Sequence, residues 1–90
     1  MKISRSEFQV RMNLDETTLD LWMVEEWLLP QRVEDDVLFT EADLARAQLI
    51  HDLQHDLGVN REGIGIILSL LDQVHGLRQA LAGKVHPAQR

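Results

Sequence analysis

There is no cysteine among the 90 residues of this chain. That absence excludes a disulfide framework, a thiolate nucleophile and a zinc knuckle, and it suits a reducing cytoplasm. Cations are scarce as well: nine Lys and Arg stand against fifteen Asp and Glu, a formal net charge of −6. Attraction to DNA or to an anionic membrane needs the opposite balance, so a basic protein partner suits the chain better. No stretch approaches the roughly 18 consecutive apolar residues of a membrane span, and the opening "MKISRSEFQV" lacks the apolar run of a signal peptide. The expectation is a soluble, cytoplasmic protein. Its 44% apolar content supports one domain with a modest core and leaves little room for a catalytic cleft.

A phosphate-binding loop is missing too, although "HDLGVNREGIGIILSLLDQ" (residues 55–73) invites that reading with Gly58, Gly63 and Gly65. Such a loop needs a buried strand before it and a lysine for charge. Here Ala45, Leu49, Leu53 and Leu57 recur at helical spacing, so the glycines follow a helix. Gly58 reads as the left-handed residue that ends it, with Val59 folding back on the last turn. Asn60 reads as the cap of the next helix, whose first turn holds Glu62, and Gly63 and Gly65 fall inside that helix, where close backbone packing would offset their weak propensity.

What is present reads as helices joined by short turns. Ser4 and Glu7 have the spacing of a capping box and open a first helix that ends near Asn13. Asp15 caps a second, with Leu19, Trp22, Met23 and Trp27 on one side, and Pro30 is expected to stop it. "QRVEDDVLF" predicts a small hairpin around a Glu34-Asp35-Asp36 turn. Thr40 and Asp43 form a further capping box for a third helix ending at Gly58, and a fourth runs from Asn60 to about Ala82. Residues 1–83 are read as one domain and 84–90 as a flexible tail.

The order helix, tight turn, helix, "LLP", wing, "FTEADLARAQLI", "LGVNREGIGIIL" resembles the winged helix-turn-helix of the MerR family. A closer resemblance is to the chaperone modulator CbpM family, carried by "VNREGIGIILSLLDQVHGLRQAL" over residues 59–81. The fold implied is all-α, a MerR-like head with a small β-hairpin wing and a long C-terminal helix. The function implied is non-enzymatic: binding the J-domain of a DnaJ-like co-chaperone of the CbpA type, with inhibition of its work with DnaK and of its DNA binding. The alternative is a dimeric MerR-like transcriptional regulator that binds DNA.

One stretch separates the two. DNA-binding MerR proteins carry "TLRYY"-like residues at the start of the second helix, together with an arginine and a tyrosine in the wing. This chain reads "TLDLW", with Asp20 at the arginine's place, Leu21 after it, and Glu34, Asp35 and Asp36 in the wing. An aspartate beside a phosphate is repulsive as well as a lost contact. Asp15, Glu16, Asp20, Glu34, Asp35 and Asp36 are therefore the candidate partner-binding acids, with Leu21 and Trp22 as apolar anchors. Trp22 and Trp27 lie five apart, so at least one is a candidate for the surface.

Two further patterns carry less. "HDLQH" sets His51 and His55 one turn apart, as in H-E-x-x-H zinc sites, but Asp52 is short for a general base and no third ligand lies nearby, so a solvated helix face is expected. The pairs Glu25-Glu26 and Asp35-Asp36 point in different directions and meet water; no catalytic residue, cofactor or metal is assigned. In the last helix, Ile64, Ile67, Leu68, Leu71, Val74 and Leu81 mark one apolar stripe, and Ile66, Leu70 and Leu77 mark a second. A helix apolar on two sides must cover both, so Ile66, Leu70 and Leu77 are assigned to a homodimer interface, as the resemblance also implies.

Overall fold

The computed structural model describes residues 2–85. It divides into two compact units, Met1–Asn60 and Arg61–Arg90. The element order is β1 (Ile3–Ser4), α1 (Arg5–Met12), α2 (Glu16–Val24), β2 (Gln31–Val33), β3 (Asp36–Phe39), α3 (Glu41–His55) and α4 (Arg61–Val85).

Helix starts in the first unit follow local hydrogen-bonding chemistry. Ser4 Oγ accepts from the Glu7 amide, and an Asp15 carboxylate oxygen accepts from Thr18 at 2.7 Å. At α3 the capping box is complete: Thr40 Oγ1 accepts from the Asp43 amide, while the Asp43 carboxylate accepts from the Thr40 amide at 2.9 Å. α1 ends at Asn13, whose left-handed backbone (φ 53°) lets the Asn13 and Leu14 amides reach back to Val10 and Gln9. α3 ends before Gly58 (φ 64°), and the Val59 amide donates to the Leu53 carbonyl at 2.8 Å.

α2 departs from expectation. It stops at Val24, well short of Pro30. Glu26 is left-handed (φ 62°), its amide donates to Met23, and the Trp27 amide donates to Trp22, which is the double closure of a Schellman motif. Trp22 and Trp27 hold the two positions that close such a motif with an apolar contact, their rings 6.3 Å apart and tilted by 46°. Both indoles are buried. A five-residue spacing turns two side chains about 140° apart on a continuous helix, and here it brings the rings together because the helix stops. Arg46 of α3 donates to the Trp27 carbonyl and fixes the chain after the turn.

The wing is part of a three-stranded antiparallel sheet of order β1-β3-β2, where a two-stranded hairpin in an all-α fold was expected. Its register pairs Arg32 with Val37 and Val33 with Asp36, so the turn is Glu34-Asp35 and Asp36 begins β3. Glu34 has φ 57°, as the first position of a tight hairpin turn requires. β1 adds Ile3 opposite Phe39 on the other edge of β3.

The core of this unit includes Ile3, Phe8, Leu19, Trp22, Trp27, Leu28, Phe39 and Ile50, all buried. Phe8 of α1 and Phe39 of β3 stack at 4.1 Å and 15°, joining helix to sheet. α3 buries Ala47, Ile50 and Leu53, whereas Ala45 and Leu57 of the expected stripe are exposed. The second unit is the 25-residue helix α4, about 37 Å long at the standard rise. It runs through Gly83 to Val85, past the expected end near Ala82. The rest of the tail, 86–90, lies outside the described residues. Ile64 and Leu68 are buried, and every described side chain from Ser69 to Gly83 is exposed.

Candidate functional site

The face that carries several of the expected acids is built from the start of α1, the start of α2 and the wing. A groove of about 560 Å³ lies there, lined by residues that include Arg5, Gln9, Glu16, Arg32, Asp35 and Asp36. Glu16 reaches it because Asp15 caps α2 and sets the first turn. Asp35 and Asp36 reach it because the Glu34-Asp35 turn closes β2 on β3. All three acids are exposed, and so is Arg32.

The remaining candidates separate. Asp15 is committed to the helix: its hydrogen bonds from the Thr18 side chain and backbone hold its carboxyl below the ordinary 3.8 and keep it charged. The Asp20 carboxylate lies 2.6 Å from Arg5 Nη2, an ion pair from α2 to α1. Glu34 stands at the exposed wing tip. The two apolar anchors part company: Leu21 is 41% exposed, whereas Trp22 is 2% exposed and belongs to the core against Trp27. Of the two expected anchors, Leu21 is thus the one open to solvent, and Trp22 is enclosed in the core of the first unit. On α4, Ile66, Leu70, Leu77 and Leu81 are each more than half exposed, and Leu71 and Val74 somewhat less than half.

Among the described residues no group of three or more His, Cys, Asp or Glu is placed to hold a metal ion. The rings of His51 and His55 lie 4.3 Å apart, tilted by 34°, on the exposed face of α3, with Asp52 3.6 Å from His51. No described helix is long and apolar enough to cross a membrane.

The sequence over residues 3–83 matches the model of the family described as MerR HTH family regulatory protein. The chain belongs to that family. A search of curated proteins gives no match. The groove carries charge of both signs. The second helix of a helix-turn-helix and the wing are the parts that meet nucleic acid when such a fold binds it. Here they present Glu16, Asp35 and Asp36, with one of the two guanidinium groups already paired. Sequence reasoning named those acids but missed that Arg5 and Arg32 share their groove. The only local signal was the cap at Ser4, which puts Arg5 at the first helical position.

Proposed function

We propose that this MerR-family chain is a non-enzymatic regulator acting by protein contact, which binds the basic helix of a J-domain co-chaperone and so keeps it from DnaK. The observation that carries the reading is the groove formed by α1, the start of α2 and the wing, where Glu16, Asp35 and Asp36 outnumber Arg5 and Arg32. Complementary charge mainly speeds and orients an encounter, and a desolvated apolar contact then slows its reversal. Glu34, Asp35, Asp36 and Glu16 supply the first term and Leu21 the second. A second copy of the chain is the proposed cover for Ile66, Leu70 and Leu77, which gives a homodimer offering two such grooves.

The test is association kinetics with a purified J-domain. Asp35→Lys with Asp36→Lys should slow association about tenfold at low salt and flatten its salt dependence. Leu21→Ala should mainly speed dissociation. Asp52→Lys with Asp56→Lys, on α3, should do much less. If the α3 pair abolished binding and the wing pair left it intact, the contact face would be a different one.

Family membership favours one other reading, a dimeric DNA-binding regulator. It requires Arg5, Arg11 and Arg32 to meet phosphates, with affinity falling steeply as salt rises. A tight, salt-sensitive complex of the unaltered protein with duplex DNA would select it.

A further inference from the structure

Asp20 stands on the outer side of α2, yet its carboxylate is turned to Arg5 on the neighbouring helix at 2.6 Å. The side chain of Asp20 is 58% exposed and that of Arg5 is 30% exposed. Arg5 is one of two guanidinium groups lining the groove; the other, Arg32, has no ion pair among the described residues and shares the groove with Asp35 and Asp36. One residue therefore acts twice. Asp20 adds a negative charge to a helix-turn-helix face, and through Arg5 Nη2 it competes with any other anion for the nearest guanidinium.

We infer that Asp20 is the specificity determinant that closes this face to nucleic acid, and that it does so within the molecule by occupying Arg5. The inference rests on the reading of the face as a protein-binding one and gives Asp20 a role apart from the other acids. Glu16, Asp35 and Asp36 line the groove, whereas Asp20 spends its charge on Arg5. An exposed ion pair contributes little to stability, so the pair can be removed without loss of the fold.

That separability makes a double-mutant cycle possible. The background is the full chain with Asp35→Lys and Asp36→Lys, which brings affinity for a random-sequence duplex into a measurable range at low ionic strength. In that background, Asp20→Ala should tighten binding about tenfold and steepen the salt dependence by about one released counterion, because Arg5 becomes available to a phosphate. Arg5→Ala alone should change affinity much less than it does once Asp20 is removed, since Asp20 competes for its guanidinium. Combining the two should erase most of the gain. Circular dichroism of each variant checks that helical content is kept. Equal gains from Asp20→Ala with and without Arg5 would mean that only overall charge matters, and would overturn the inference; so would no gain, or no DNA binding in any variant. If the unaltered protein fails to bind a J-domain, the partner reading falls while the DNA cycle still stands or falls on its own result.

Discussion

The head and the last helix solve the problem of burying apolar surface in opposite ways. In the head, short elements each give up one or two large side chains to a shared centre, and Phe8, Leu19, Leu28, Phe39 and Ile50 are wholly enclosed. Along α4 the same residue types, Leu70, Leu71, Val74, Leu77 and Leu81, stand in solvent over a stretch where no described side chain is buried. A free helix of that length is marginal in water, because its hydrogen bonds barely offset the ordering of the chain. The contrast teaches where the fold's stability resides and where an additional surface is wanted.

The harshest way to break the comparison is Phe8→Ala. It removes the ring stacked on Phe39, and a loss of about 3–5 kcal/mol is expected, enough to leave much of the head unfolded in a urea titration. Leu70→Glu should do nothing of that kind. It should convert a dimer to a monomer in sedimentation and remove the concentration dependence of the melting temperature, with the head intact. A monomeric unaltered protein would instead show that α4 needs no second copy. Gly76→Ala sharpens the contrast further: a Cβ there meets nothing within 4 Å, so α4 should gain about 1 kcal/mol of helix stability. A weakened dimer from that substitution would mean that another backbone approaches Gly76 closely.

The smallest effect is expected from acid. Because the folded-state pKa of Asp15 is lowered by Thr18, the carboxylate stabilises the folded chain above its ordinary value of 3.8. That contribution is lost as pH falls through the folded value. Asp15→Ala should therefore flatten the acid limb of the stability curve below about pH 4 and leave its neutral limb parallel to that of the unaltered protein.

What could be read from the sequence was what lies within a few residues. The caps at Ser4, Asp15, Thr40 and Gly58 are local chemistry, and the structure has each of them in its expected place. The end of α2 was hidden because a glutamate, not a glycine, takes the left-handed position, so nothing flagged Glu26. β1 was hidden because two residues have no periodicity to detect, and Ile3 is a strand residue only through its partner Phe39. On α3, two apolar stripes overlap, and packing selects the one through Ala47, Ile50 and Leu53. For the candidate site, Glu16, Asp35 and Asp36 do share a groove, but the pairing of Asp20 with Arg5 spans fifteen positions and depends on how two helices cross.

The Schellman closure of α2 has one more consequence, an optical one. It gathers both tryptophans of the chain, Trp22 and Trp27, into one buried pair in the head, and α4 contains none. Intrinsic fluorescence therefore watches the head alone, while the ellipticity of the peptide bonds sums over every helix. A melt recorded in both signals becomes a differential instrument: if α4 frays before the head opens, ellipticity declines while the indole emission holds steady.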